Sequence, residues 1–266
     1  VIDTTACIPG RHILFVTLDS LRYDVAHQTT ATGRTPCLSA ILPSGQWERR
    51  HTPGTFTYPA HQAFFAGFLP KPALPTPPSR LWECRPPVGK AIRPTTYVFD
   101  APDIITGLAD LGYRTVCIGG VSYFSRETPL GSTLPDYFTE DHWEPAFASA
   151  EPDSTRHQVD RALSLLNDVQ NRQPVMLFLN VSATHIPHHH YVTDSDGIDS
   201  TDSQAAALAY ADGQLGRLLD ALPAFGAWLV VATADHGDTF GDDGFTGHGI
   251  AHPAVFTVPY AETLVG

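Results

Sequence analysis

The chain has 266 residues, with 16 Lys+Arg against 28 Asp+Glu for a formal net charge of −12, and 42% hydrophobic against 17% charged residues. That balance excludes a disordered chain, and the length suits one large α/β domain over residues 1–266 better than two small ones. The acidic surplus argues against a nucleic-acid partner, whose phosphates need a basic face, but not against an anionic substrate, because a bound cation inverts the local field.

Residues 11–18, Arg-His-Ile-Leu-Phe-Val-Thr-Leu, read as a buried strand ending at Asp19-Ser20, with a helix beginning near Leu21. Pro36 opens a short helix to residue 42 with Thr35 as its N-cap, and Pro59 opens another through Ala66, stopped by Gly67. Residues 70–87 hold seven of the 23 prolines. Proline fixes φ and removes a donor, so residues 70–90 are expected as an extended surface excursion over the face that carries the polar clusters.

Next come a helix at 103–111, a stop at Gly112 and a strand at 113–119. Asp153 is expected to cap a helix over 154–172, with Val159, Ala162, Leu163, Leu166 and Val169 on one face. Pro174 ends it, and 175–181 is the next strand. A helix over 203–222 turns Leu208, Ala211, Leu215, Leu218, Leu219 and Leu222 inward, and strands follow at 227–233 and 254–258. Alternating strand and helix means an α/β fold: a central, mostly parallel sheet with helices on both faces.

The first residues lack a basic segment followed by an apolar one, and no apolar run approaches the ~20 residues of a membrane span. Cys7, Cys37, Cys84 and Cys117 show no CxxC spacing and read as buried thiols. The expected compartment is the cytoplasm.

In such sheets ligands bind beyond the carboxyl ends of the strands. Asp19 follows the first strand, Thr184-His185 follow 175–181, and Asp235-His236 follow 227–233. Seven of the 13 histidines (His185, His188, His189, His190, His236, His248 and His252) fall in the last third, and neutral imidazole is the commonest metal ligand. Asp235 and His236 can share a divalent cation, with Gly237 letting the backbone turn. The glycine-punctuated loop 241–249 can bring His248 back toward the same ion. Thr57 lies two residues before Pro59, at a helix N-terminus where free N–H groups and the dipole favour an anion. On a metal, its hydroxyl would lose a proton near neutral pH and become a nucleophile.

Plainer uses stand beside these. Thr57 is also a plausible N-cap, and Asp235-His236 a simple turn. Asp24, Asp238, Asp242 and Asp243 read as solvated loop or turn acids, and Asp212 as structural.

Four segments in order carry a resemblance. They are Leu18-Asp19-Ser20-Leu21-Arg22; Thr57-Tyr58-Pro59-Ala60-His61 with Gly67-Phe68-Leu69-Pro70; Thr184-His185-Ile186-Pro187-His188; and Ala234-Asp235-His236-Gly237-Asp238 with Gly247-His248-Gly249. Over roughly residues 12–260 they resemble the alkaline phosphatase/sulfatase superfamily. The Thr57 segment is most similar to the nucleotide pyrophosphatase/phosphodiesterase branch. The 235–249 segment is closer to sulfatase-like and phosphoethanolamine-transferase members.

The resemblance implies a three-layer α/β sandwich and metal-dependent hydrolysis of a phosphate mono- or diester through a phosphothreonine on Thr57. It implies one metal held by Asp19, Thr57, Asp235 and His236, with a second metal or the substrate's anionic oxygens near His185 and His248. The phosphodiesterase branch carries an aspartate four residues before the histidine aligned with His185, where this chain has Val181. His189 and His252 are then the remaining candidates for a second metal.

One or two Zn²⁺ ions are expected, with Mn²⁺ next, and a small anionic phosphoester as the partner. Sulfatases need a Cys or Ser oxidised to an aldehyde hydrate, with Arg four residues on. Threonine's β-methyl blocks that oxidation, and the residue four beyond Thr57 is His61. A phosphotransferase or mutase, a sulfatase-like hydrolase and a catalytically silent metal-binding partner are the alternatives.

Overall fold

The computed structural model describes residues 2–67, 103–167 and 173–266, and the backbone of 82–84 and 97–99. In chain order the elements are β1 (His12–Leu18), α1 (Tyr23–Ala31), α2 (Pro36–Ile41), β2 (Glu48–His51), α3 (Thr57–Ala66), β3 (Trp82–Cys84), β4 (Tyr97–Phe99), α4 (Ile104–Asp110), β5 (Arg114–Ile118), α5 (Pro129–Thr133) and β6 (Glu140–His142). Then follow α6 (Ser154–Asn167), β7 (Val175–Val181), α7 (Thr201–Ala221), β8 (Trp228–Thr233), β9 (Thr239–Phe240), β10 (Thr246–Gly247), α8 (Pro253–Phe256) and β11 (Thr257–Val265).

Seven strands form one sheet in the order β2-β11-β8-β1-β7-β5-β6. From β8 to β6 all pairings are parallel, while β11 runs antiparallel to both β8 and β2. Strand side chains alternate between faces, so an apolar run such as β7 must be covered on both. Leu14, Val16 and Leu18 of β1, with Leu177, Leu179 and Val181 of β7, pack against Val25, Leu38, Val159, Leu208 and Leu215 of α1, α2, α6 and α7. Ile13, Met176, Phe178 and Cys117 meet Tyr58, Phe65, Ile105 and Leu108 of α3 and α4 on the other side. This is the helix–sheet–helix arrangement that the alternation of elements implies.

Differences from the sequence expectations lie at edges and ends. β2 (Glu-Arg-Arg-His) and β6 (Glu-Asp-His) lack an apolar pattern, because each borders only one neighbour and faces solvent on its free side. The strand expected at 254–258 begins only at Thr257; Pro253–Phe256 form a helical turn capped by the His252 side chain, which accepts from the Ala254 N–H. α7 starts at Thr201, with Ser200 and Ser203 bonding each other's backbone N–H in a capping box.

Leu163 and Leu219 are only partly buried at the rim of the core. Val169 and the end of the helix expected over 154–172 lie outside the described residues, as does the 70–90 excursion apart from the backbone of β3. Cys7, Cys37 and Cys117 are free thiols, the first and last of them buried.

Thr35 does not cap α2. Its hydroxyl pairs with that of Thr30 at 2.9 Å, and the cap comes instead from Asp212 on α7. Asp212 accepts from the N–H of Leu38 at 2.7 Å and of Cys37 at 3.2 Å. Asp212→Ala should therefore cost roughly 1–2 kcal/mol, as for a lost cap. Thermal denaturation should show a drop of about 2–4 °C per kcal/mol for a chain of this size, and an unchanged Tm would mean that packing alone holds α2.

Candidate active site

The centre grows from the carboxyl ends of three adjacent strands. Thr17 on β1 lies opposite Asn180 on β7 and Thr233 on β8. Two residues beyond the Thr17–Thr233 pair, Asp19 and Asp235 emerge side by side, both fully buried. β7 and β8 flank β1 on opposite sides, so this is a switch point where an α/β sheet opens a crevice.

Ligand atoms of Asp19, Asp235 and His236 all lie within 4.8 Å of one another. His236 Nε2 is 3.4 Å from Asp235 Oδ2 and 3.8 Å from Asp19 Oδ1. Its Nδ1 donates to the Gly237 carbonyl at 2.9 Å, which leaves Nε2 bare on the carboxylate side. Gly237 is required by space: a Cβ there would stand 1.9 Å from the Ala254 carbonyl oxygen. Thr57, also buried, places its Oγ1 3.4 Å from His236 Nε2 in the first turn of α3.

Surrounding polar groups fix these side chains. Asn180 donates to Asp19 Oδ2 at 3.0 Å and to Thr17 Oγ1 at 3.2 Å, while its own carbonyl accepts from the N–H of Gly120 and Val121. His61 Nδ1 donates to the Thr57 carbonyl at 2.7 Å, and its Nε2 accepts from Thr17 Oγ1 at 3.1 Å. The Ser20 N–H holds Asp235 Oδ1 at 3.1 Å, and the Ser20 hydroxyl holds Asp19 Oδ1 at the same distance. Gln204 on α7 donates to the carbonyls of Ser20 and Thr184 and accepts from the Arg22 N–H, joining the loops after β1 and β7.

Burial, then the Asp19 charge, pushes Asp235 well above the usual carboxylate range. Burial also pushes Asp19 up, but His185, His236 and the Asn180 donor more than offset it, so Asp19 stays low. Burial brings His236 and His61 down to about 4, so both imidazoles are neutral near pH 7. Asp235 Oδ2 is buried without a hydrogen-bond partner. Two repelling carboxylates, one orphaned oxygen, a bare imidazole nitrogen and a hydroxyl form a donor set suited to Zn²⁺ or Mn²⁺. The residues present fit such an ion.

Of the other singled-out histidines, two reach this centre. The His248 ring lies 4.4 Å from that of His236 and 5.6 Å from that of His185, centroid to centroid. His189 points elsewhere, with Nδ1 3.3 Å from Asp199, and His252 caps α8 and meets Asp243 at 3.2 Å. Neither belongs to the cluster.

One acid read as solvated is not: Asp238 is fully buried and 3.3 Å from His248 Nδ1. Asp24 is exposed as expected and Asp242 half-buried, and both bind the buried guanidinium of Arg22, at 2.7 and 2.8 Å. Sequence reasoning gave no role to Asn180, His61 or Gln204. The one signal for Asn180 is a lone amide in an otherwise apolar strand.

The family model for sulfatases matches residues 11–260. The chain belongs to the sulfatase family, within the alkaline phosphatase superfamily, whose enzymes act on phosphate or sulfate esters or transfer phosphoryl groups. No curated protein sequence matches.

Similar solved structures share the fold. One is the C-terminal periplasmic domain of phosphoethanolamine transferase EptC from Campylobacter jejuni: 12% identity, 96% of this chain and 79% of that one, TM-score 0.63. Another is the corresponding domain of EptC from Escherichia coli in complex with Zn: 14% identity, 95% and 72% coverage, TM-score 0.60. A third is the phosphonate monoester hydrolase of Agrobacterium radiobacter: 13% identity, 95% and 68% coverage, TM-score 0.60. No helix among the described residues is long and apolar enough to cross a membrane.

Two outcomes follow from the electrostatics. Zn²⁺ should raise the Tm of the metal-stripped protein in a fluorescence melt, and Asp235→Asn should abolish that rise. The metal-stripped variant should be no less stable than metal-stripped wild type, because the amide is neutral beside Asp19 without the proton uptake that the buried acid requires.

His188 is fully buried, bonded through Nδ1 to Ser203 Oγ at 2.8 Å, and burial brings it to about 4. The unfolded chain takes up that proton first, near the ordinary histidine value of about 6.5. This part of the stability is therefore complete above about pH 6.5 and lost as pH falls toward 4. Urea denaturation at pH 7 and pH 5 should show a slope that His188→Asn flattens by roughly 1–2 kcal/mol.

Proposed function

We propose that the protein is a metal-dependent hydrolase of a small phosphate mono- or diester, with residues 1–266 as one catalytic domain and Thr57 as nucleophile. The observation that carries this reading is the position of Thr57 Oγ1, 3.4 Å from His236 Nε2 beside the buried Asp19–Asp235 pair. Asp19, Asp235, His236 and the Thr57 hydroxyl would hold one Zn²⁺, with Mn²⁺ next. When bound, the ion supplies Lewis acidity, which lowers the hydroxyl's pKa and offsets charge on the phosphoryl oxygens.

Thr57 Oγ1 forms the bond to phosphorus as the ester P–O bond breaks, and the leaving alcohol takes up a proton. Water then attacks the phosphothreonine, releases phosphate from a monoester or the remaining monoester from a diester, and returns a proton to Oγ1. α3 starts at Thr57 without a side-chain cap, so its first-turn N–H groups would be available where negative charge grows on the attacked phosphoryl group. His185 and His248 stand on the same side as His236 and are assigned to the substrate's anionic oxygens rather than to a second ion. Thr57 cannot become the aldehyde hydrate of a sulfatase nucleophile, which favours phosphate over sulfate esters. The cytoplasm is proposed on the free thiols alone; the EptC domains of similar fold are periplasmic.

The test is turnover of p-nitrophenyl phosphate, bis-p-nitrophenyl phosphate and p-nitrophenyl sulfate by zinc-loaded protein. Thr57→Ala should reduce phosphate-ester turnover by roughly a thousandfold or more, while Thr57→Ser retains part of it. Full activity in Thr57→Ala would remove the nucleophile assignment. An alkyl phosphate formed in the presence of ethanol would assign a transferase.

A further inference from the structure

The β9–β10 hairpin leaves one buried acid that the reaction above does not use. Thr239 pairs with Gly247 across the hairpin, and the Thr239 hydroxyl also donates to the Gly247 carbonyl at 2.6 Å. Asp238 immediately precedes one member of that pair and His248 immediately follows the other, so the register sets them face to face. Asp238 Oδ2 is 3.3 Å from His248 Nδ1, and Oδ1 accepts from the Thr239 N–H at 3.0 Å.

The backbone on either side of His248 is held, the Gly249 N–H by the Thr55 carbonyl at 2.7 Å and Gly247 by Thr239, but that fixes the position of the residue and not the rotation of its ring. Gly247 and Gly249 supply the left-handed φ of +93° and +83° that this turn requires. Among the described residues Asp238 is the one hydrogen-bond partner of that ring. Asp238 is itself held in place. It is fully buried, and its carbonyl accepts from Arg22, whose guanidinium binds Asp242 in the hairpin and Asp24 in α1.

We propose that Asp238 is a positioning residue for His248: its carboxylate accepts the Nδ1 hydrogen, fixes tautomer and ring orientation, and so presents Nε2 to the oxygens of the bound ester. The functional half of this inference rests on the hydrolase reading. The geometric half does not. A carboxylate on the far nitrogen of an imidazole decides which nitrogen is free, as it does for metal-ligating and catalytic histidines generally. Arg22 acts one step further back, clamping the hairpin so that Asp238 and His248 keep their register.

The experiment has two arms. In the zinc-loaded resting protein, long-range ¹⁵N–¹H spectra assign the His248 tautomer without any turnover. Wild type should show a protonated Nδ1, and Asp238→Ala should lose that fixed pattern. A bare Nδ1 in wild type, or an unchanged pattern in the variant, overturns the proposal.

In the kinetic arm, with whichever p-nitrophenyl ester turns over, Asp238→Asn should reduce kcat roughly tenfold to a hundredfold with KM within about twofold. In a His248→Ala background, Asp238→Asn should cost less than about twofold more, because the ring it holds is gone. Equal losses in both backgrounds would show a merely structural acid and overturn the proposal. Asp238→Asn keeps the volume of the buried acid, and Zn²⁺-induced stabilisation of each variant checks that the centre is folded. If no ester turns over, the hydrolase reading fails, and the tautomer readout still decides whether Asp238 holds His248.

Discussion

Parallel pairing of β1 with β8 forces two carboxylates to leave the sheet together, in a place from which solvent is excluded. Asp19 and Asp235 cannot both be charged there without help. Asp19 receives that help from Asn180 and the Ser20 hydroxyl, and Asp235 from the N–H groups of Ser20 and His236. One oxygen of Asp235 receives none. The other buried polar groups of the centre follow from that shortage, since His61 and His236 are kept neutral and each spends Nδ1 on a carbonyl. A site so arranged is costly as a protein interior and favourable as a receptacle for a cation.

Some of this was legible in the sequence, for a physical reason. The three strands that deliver the centre are central ones, buried on both faces, so their apolar runs are long and their ends sharp. Asp19, His185 and Asp235 stand out because each is the first titratable side chain after such a run. Thr57 stood out through Pro59, which marks a helix start without reference to the rest of the chain. β2 and β6 did not stand out, because an edge strand borrows its conformation from one neighbour and keeps polar side chains.

Asp238 is hidden in the sequence for a related reason. The glycines of 241–249 suggest an irregular loop, and only the two-residue ladder between β9 and β10 turns Asp238 toward His248. His189 shows the reverse error: it sits in a histidine run beside His185, but the chain there turns it to Asp199. Asn180 and Gln204 are ordinary amides until the fold is known. Their importance comes from which main-chain groups they meet, and no local pattern encodes that.

Gln204 illustrates a further point about where such a fold can change. Its amide serves three main-chain atoms in two loops, Ser20 O, Thr184 O and Arg22 N. The loops contribute only backbone to these bonds, which therefore do not depend on the loop side chains. The helix contributes a side chain, so its phase matters. Each residue turns an α-helix by about 100°, so one residue inserted between the Ser200 cap and Gln204 would swing the amide away from all three atoms. The joining of the two loops around the crevice is therefore set by a fixed count of residues at the start of α7.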